Sequence, residues 1–224
     1  IPDERFFELS GDMCVRKMEL FNAQNLTNVV WAYATVGLQH TRCFEATVAC
    51  SLRALDGFNA QNLSNTIWAY ARSEFYAPNF FAAFSARTAS KLHEFNCQNI
   101  SNTAWAIGRR VSEGPPVTHP AEKAVYHKAL TLLVQEAHKR LEELEAQNLV
   151  SLAYALVIAN FEAPDFLFRA LPDRLQVVCG RANAQDLSNA VWATAKVGGG
   201  ADTATGAQTF FVVEEEVLRR GPSR

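Results

Sequence analysis

Side chains able to hold a polymeric ligand recur at fixed spacing along the chain. In four segments a glutamine is followed by an asparagine four residues later and by a tryptophan seven residues later; in three of the four an Arg or Lys comes eleven residues after the glutamine. Amides donate and accept hydrogen bonds, indole rings stack on planar groups, and cations attract anions. This row therefore has the chemistry to bind an anionic polymer that carries planar groups.

The four segments belong to one sequence repeat. FNAQNLSNTIWAYA, residues 58–71, recurs as FNAQNLTNVVWAYA at 21–34 and as FNCQNISNTAWAIG at 95–108. Counted from the glutamine, five units follow one another at intervals of 37, 37, 49 and 38 residues. The longest interval contains residues 108–120, whose Gly and Pro residues predict an enlarged loop. The fourth unit keeps the pattern in weakened form, as Gln147, Ser151, Tyr154 and Ile158.

Each unit predicts a pair of helices. A pair of this length cannot bury its apolar face alone, so neighbouring units must stack. We predict an all-α, right-handed α-solenoid of about five helix-turn-helix repeats of 37–38 residues, starting near residues 21, 58, 95, 144 and 182 and forming one domain over residues 1–224. Motif helices are expected at 24–37, 61–73, 98–110, 147–160 and 185–197. Second helices are expected at 41–57, 77–94, 120–143 and 164–181, with flanking helices at 3–20 and 207–219.

The first asparagine of each motif is expected to cap its helix. Asn59 precedes the helical pattern, and its side chain can accept a hydrogen bond from a free N–H group of the first turn. Phe58 can close on Leu63 as a hydrophobic staple. The fourth unit has Glu145 at the cap position and the fifth has Ala182 at the staple position, so these two helix starts should be looser.

The helical period places the remaining motif residues on two opposite faces. At about 100° per residue, Leu63, Ile67 and Tyr70 share the face expected to pack on the second helix, and the amides, tryptophans and cations share the other. Two structural roles for this second face stay open. The tryptophans could pack between neighbouring helices, and Gln61 and Asn65 could form an amide ladder between units. Base discrimination would need positions that vary between units, such as Val29, Thr66, Thr103, Leu152 and Ala190.

Charge is divided unevenly between the two kinds of helix. The chain has a net charge of −2, but the motif helices carry Arg72, Arg109, Arg110 and Lys196 against Asp186, a balance of +3 that leaves −5 elsewhere. A layer of amides, rings and cations suits the bases and backbone of single-stranded RNA. We predict RNA contacts from Gln24, Asn28, Gln61, Asn65, Arg72, Gln98, Asn102, Arg109, Arg110, Gln185, Asn189 and Lys196.

Other classes of function have little support in the sequence. No apolar run reaches the roughly 18 residues of a membrane span. The motif helices hold a single acid, too few for acid–base catalysis, and we predict no enzyme, cofactor, metal site or small-molecule substrate. The five cysteines lack C-x-x-C spacing and are predicted to be reduced, and the five histidines are expected at the surface. Residues 198–206 are predicted to be a flexible connector, and residues 214–216 a solvated helix face.

The units F-N-A-Q-N-L-[ST]-N-x-x-W-A-x-A resemble the octotricopeptide repeats of organelle RNA-binding proteins from algae and related protists. The resemblance covers residues 21–197 and departs from the family pattern in the fourth unit and in the interrupted third. It implies an α-solenoid that binds single-stranded RNA in a chloroplast or mitochondrion and supports transcript maturation, stability or translation. RNA-facing residues would then lie around Gln61, Asn65 and Arg72 and their equivalents. Some such solenoids serve instead as scaffold subunits of organellar ribosomes.

Two functions are therefore expected. The first is non-catalytic binding of single-stranded RNA in organellar RNA metabolism or translation. The alternative is a protein–protein scaffold in a large organellar assembly such as a ribosome, with other proteins of that assembly as partners. Because the chain begins with Ile1 and not with Met, we expect it to be a processed product or part of a longer chain, with any targeting segment outside it.

Overall fold

The computed structural model describes residues 3–197 and 204–221, and this part of the chain is helical without strands. Most of the predicted connector at 198–206 lies outside the described residues. Two kinds of helix alternate along the chain. The motif helices are α2 (Ala23–Val36), α4 (Ala60–Arg72), α6 (Cys97–Glu113), α8 (Ala146–Ile158) and α10 (Ala184–Lys196).

The second helices occupy the intervals between the motif helices. A π-helical turn at Phe166–Ala170 leads into the ninth helix of the chain. The all-α prediction is confirmed for the described residues. The second helices are α1 (Glu4–Lys17), α3 (Thr41–Arg53), α5 (Pro78–Lys91), α7 (Pro120–Lys139), α9 (Leu171–Val178) and α11 (Ala204–Arg220).

Asparagine caps fix where four of the motif helices begin. Asn59 Oδ1 accepts a hydrogen bond from the Asn62 N–H at 2.8 Å, and Asn62 Oδ1 accepts one from the Asn59 N–H at 3.4 Å. The same reciprocal pair starts α2, α6 and α10. Glu145 makes no side-chain cap at α8, which agrees with the poorer cap predicted at this position. The start of α10 has a complete cap in spite of Ala182, because the reciprocal pair does not need the aromatic staple.

Stacking in chain order produces two layers. Each motif helix from α2 to α10 packs against the motif helix of the next unit, and the second helices from α1 to α7 also pack in sequence. Each motif helix also packs on the second helix that follows it, from α2 on α3 to α10 on α11. The motif helices therefore form one layer and the second helices another.

The apolar face of each motif helix is buried between the layers. Leu63 and Ile67 are buried, and the fully buried Tyr70 packs its ring 4.4 Å from that of Phe80. The Tyr70 hydroxyl donates to the Phe44 carbonyl at 2.8 Å, and Tyr33, one repeat earlier, donates to the corresponding carbonyl of Phe7. Burial of each large apolar side chain stabilises the fold by about 1.5–3 kcal/mol. The predicted packing face is confirmed.

The third motif helix is longer than the sequence analysis predicted. α6 continues to Glu113, so the enlarged loop covers residues 114–119 and not 108–120. The first proline of the insertion is Pro115, and no residue before it removes a helical hydrogen bond. Gly108 lies inside the helix and allows α6 to approach α8, because a Cβ at this position would lie 2.7 Å from the Ala155 carbonyl oxygen.

We predict that Gly108→Ala lowers the free energy of unfolding by about 1–3 kcal/mol, because the added methyl group forces α6 away from the backbone of α8. This loss exceeds the gain of up to about 1 kcal/mol in helix propensity. Gly57→Ala is the matched control, since a Cβ there meets nothing within 4 Å. Urea unfolding followed by circular dichroism measures both variants. Equal stability of the two would contradict the close approach of α6 and α8.

Candidate nucleic-acid interface

The predicted contact positions form a surface on the solvent side of the motif-helix layer. All five motif glutamines and Asn28 are exposed, whereas Asn65, Asn102 and Asn189 are half-buried. We call this surface the amide face. It consists of Gln24, Asn28, Trp31, Gln61, Asn65, Trp68, Arg72, Gln98, Asn102, Trp105, Arg109, Gln147, Ser151, Tyr154, Gln185, Asn189, Trp192 and Lys196.

Several hydrogen bonds join neighbouring motif helices, but none of them involves Gln61 or Asn65, the residues of the proposed amide ladder. The hydroxyls of Thr27 and Thr66 lie 2.8 Å apart between α2 and α4. Asn99 Nδ2 donates to Ser64 Oγ at 2.8 Å between α6 and α4. Ser101 Oγ donates to Asn148 Oδ1 at 3.1 Å between α6 and α8. Polar side chains facing sideways within the layer therefore link the units.

The amides of the amide face are consequently free to bind a ligand. In the described part of the chain, Gln24, Asn28, Gln61, Asn65, Gln98 and Asn102 make no hydrogen bond through their side chains. Gln185 and Asn189 bond only to each other, at 2.8 Å. The hypothesis that Gln61 and Asn65 form a ladder between units is therefore wrong.

The aromatic rings both pack on one another and remain accessible. Trp68 and Trp105 are half-buried, with ring centroids 6.2 Å apart, and Tyr154 and Trp192 lie 5.0 Å apart. Trp31 is 46% exposed and Trp192 40%. Among the described residues no ring contact joins Trp105 to Tyr154. The two ring pairs are thus separated at the junction of the third and fourth units.

Three cations contribute to the amide face. Arg72 and Lys196 are exposed and have no ion pair among the described residues. Arg109 lies 5.3 Å above the Trp105 ring and pairs with Glu74 at 3.3 Å and Glu113 at 2.6 Å. Beside this cluster, burial raises the pKa of Tyr76 although Arg109 opposes the shift, so its phenol stays neutral. The positive charge of the face is therefore small and partly neutralised.

Arg110 does not belong to the amide face, contrary to the sequence prediction. It follows Arg109 by one residue, and a rotation of about 100° turns its side chain into the protein. Arg110 is 1% exposed; Nη1 donates to the Pro115 carbonyl at 2.6 Å, and Nη2 pairs with Glu122 at 2.8 Å. Its role is to hold the enlarged loop and the start of α7.

Most of the variable positions considered for base discrimination are not on the surface. Thr66, Thr103, Leu152 and Ala190 are buried between motif helices, and Val29 is half-buried. Thr66 is occupied by its contact with Thr27. The four buried positions are therefore not available to discriminate bases, because neighbouring motif helices cover them.

A polar cleft, which sequence reasoning missed, opens between the first turns of α6 and α8. Its volume is about 300 Å³. The one sequence signal for it is Glu145, which replaces the asparagine cap of the other units. We call it the α6–α8 cleft; its walls are Gln98, Ser101, Asn102, Glu145, Gln147, Asn148 and Ser151.

A family model described as RNA-editing substrate-binding complex 6 protein matches residues 1–200 of the chain. The chain belongs to this family. It is a family of RNA-processing proteins, and the match is not to an octotricopeptide-repeat family specifically. A comparison with curated proteins finds no significant match. Membership of this family thus associates the chain with RNA editing.

In residues 3–197 and 204–221, no three His, Cys, Asp or Glu side chains cluster as metal ligands would. All five cysteines are free thiols, as predicted, and burial raises the pKa of Cys43 to about 12. None of the described helices is both long enough and apolar enough to cross a bilayer.

Two predictions of exposed polar residues need correction. His40 is 6% exposed, because its ring caps α3 and accepts a hydrogen bond from the Cys43 N–H at 3.2 Å. In the acidic run at residues 214–216, Glu216 is buried and pairs with Arg219 and Arg220, whose hydrogen bonds lower its pKa to about 2.

We predict that Arg110→Ala lowers the free energy of unfolding by about 3–5 kcal/mol, because it leaves Glu122 partly buried without its partner. Arg72→Ala, at an exposed residue without an ion pair, should change stability by no more than about 0.5 kcal/mol. Chemical denaturation of the two variants provides the comparison. Similar small effects would mean that Arg110 is not anchored in the interior.

Proposed function

We propose that this chain is a non-catalytic binding protein for single-stranded RNA within an RNA-editing assembly. The observation that carries the proposal is the amide face itself, where unpaired amides and accessible rings recur along the motif-helix layer of an RNA-editing family member. Aromatic rings stack on unpaired bases, and amides bond to base edges, ribose and phosphate.

The finer predictions from the sequence form part of the same proposal. The stacking of units in chain order supports a solenoid of about five octotricopeptide-like repeats in one domain, and we propose that this solenoid is right-handed. For location we propose the mitochondrion, with which membership of this family is compatible; the family gives no support to a chloroplast. Amide contacts supply most of the binding, because Arg72, Arg109 and Lys196 are the only cations of the amide face in the described residues.

Binding of a single-stranded RNA without secondary structure, measured by fluorescence anisotropy at several salt concentrations, tests the proposal. Three cations predict a modest slope of log K against log salt, about −2. Reversing the charges of Arg72 and Lys196 to Glu should weaken binding at low salt by about tenfold or more and make the slope shallower by about 1 to 2. The amide contacts should leave residual binding.

The matched control reverses the charges of Lys17 and Lys128, which are exposed on second helices and have no ion pair in the described part of the chain. Its affinity should stay within about twofold of the wild type, since these residues lie outside the amide face. Equal losses in the two double variants would show that binding is not at the amide face. Absence of binding at low ionic strength would overturn the proposed function.

A second candidate, a protein–protein scaffold, is favoured by the exposed apolar surface of α1. Phe6 is 60% exposed, whereas the residues one and two repeat lengths later, Cys43 and Phe80, are buried. Leu9 and Met13 extend the same exposed face of α1. In the later units this position is covered by a preceding unit, so α1 has the surface that a further helical element would cover.

We predict that chemical cross-linking of the assembly purified from its source links Lys17, near this surface, to a helical segment of a partner protein. Replacing Phe6 and Met13 with Glu should abolish the cross-link and leave RNA affinity within about twofold, because α1 is not part of the amide face. A monodisperse chain with no cross-linked partner would contradict the scaffold function. Loss of RNA binding in the same variant would place RNA on α1.

A further inference from the structure

The α6–α8 cleft differs in character from an ordinary ligand pocket. Small-molecule pockets are lined mainly by apolar side chains with a few polar groups. Every side chain that lines this cleft carries an amide, a hydroxyl or a carboxylate. A ligand held here must be bound by hydrogen bonds around its edge.

The fourth unit supplies an amide donor, Asn148, whose equivalent in the third unit, Asn99, is used to hold two helices together. Asn99 is 6% exposed; its oxygen accepts from the Asn96 N–H at 3.1 Å and its nitrogen donates to Ser64 at 2.8 Å. The equivalent Asn148 has no reciprocal cap partner, because Glu145 stands in the place of the capping asparagine. Ser101 Oγ lies 3.1 Å from Asn148 Oδ1 and also 3.1 Å from the Gln98 carbonyl oxygen, so Ser101 shares its one hydroxyl proton between them. The half-buried Asn148 has no other side-chain partner among the described residues, which leaves its NH₂ group available at the cleft.

Glu145 supplies the acceptor. Its Oε1 pairs with Arg181 Nη1 at 2.9 Å, and Oε2 makes no hydrogen bond within the described residues. A carboxylate can accept several hydrogen bonds, so this pairing leaves room for a ligand. The cleft therefore combines a carboxylate acceptor with amide donors and a volume of about 300 Å³.

We propose that the α6–α8 cleft binds one unstacked guanine of the RNA strand, an inference that rests on the proposed function. The Watson–Crick edge of guanine presents two adjacent donors, N1–H and the N2 amino group, beside the O6 acceptor. Glu145 accepts from the two donors, and the amide NH₂ of Asn148 donates to O6. Uracil has one donor on this edge, and adenine has no acceptor at the position of O6.

The aromatic rings next to the cleft fit this arrangement. Trp105 and Tyr154 lie one turn further along α6 and α8 than Asn102 and Ser151. The row of ring contacts is interrupted between them, at the junction where the cleft opens. Neighbouring bases of the strand stack on these rings while the central base turns into the cleft.

Oligouridine strands of equal length with a single central guanosine, inosine, adenosine or cytidine test the proposal by fluorescence anisotropy. The guanosine strand should bind about tenfold more tightly than the all-uridine strand, since a bidentate pair of hydrogen bonds discriminates between the matching base and the others. Inosine lacks the N2 amino group and should lose most of this gain. Glu145→Gln should remove the preference for guanosine, because the amide that replaces the carboxylate has a single oxygen and cannot accept from both guanine donors in the same way.

Glu142→Gln is the matched control, because Glu142 is a nearby exposed carboxylate outside the cleft, and it should retain the preference. Equal affinity for the guanosine, inosine and all-uridine strands would overturn the guanine site and leave the proposed RNA binding intact. No binding of any strand would overturn both. A guanosine preference that persists in Glu145→Gln would place its recognition outside the cleft.

Discussion

Side-by-side packing of the motif helices is the constraint on which the rest of this structure depends. The three central motif helices α4, α6 and α8 each have a motif helix on both sides, and the terminal ones, α2 and α10, have one on one side. Second helices lie beneath all five, so ligand contacts along the layer come mainly from the outer face. Any group that the repeat presents to a ligand must therefore come from the few positions on that face. The regular spacing of Gln, Asn and Trp follows from this restriction, because one helix turn separates successive accessible positions.

The amides of the motif divide into structural and accessible sets by position. In the second unit, Asn59 and Asn62 satisfy the free N–H groups of the first turn, while Gln61 and Asn65, on the outer face, keep their hydrogen-bonding capacity. The fourth unit breaks this division because Glu145 cannot complete the reciprocal cap. Its Asn148 is released from the cap and contacts Ser101 of the neighbouring helix. The replacement of the capping asparagine by Glu145 therefore alters the side chains that line the cleft between the third and fourth units.

The electrostatics of the amide face fit recognition by hydrogen bonds and stacking better than strong attraction to phosphate. Arg110 is used internally, and Arg109 shares its charge with Glu74 and Glu113. Binding based on neutral groups depends less on salt than binding by a basic groove. It also depends more on which bases can stack or fill a cleft, which is consistent with a component of an RNA-editing assembly.

The sequence by itself determined the helices, their caps, the packed face and the outer face. These features rest on local periodicity and on residues three or four positions apart, such as Asn59 with Asn62. Only the tertiary structure decided the partners of Arg110, the burial of Thr66, the pairing of Trp68 with Trp105 and the existence of the α6–α8 cleft. Each of these depends on how closely two helices approach and at what angle. That geometry is set by contacts between residues about one repeat apart, such as Gly108 with Ala155. The periodicity of a single helix gives no information about such contacts.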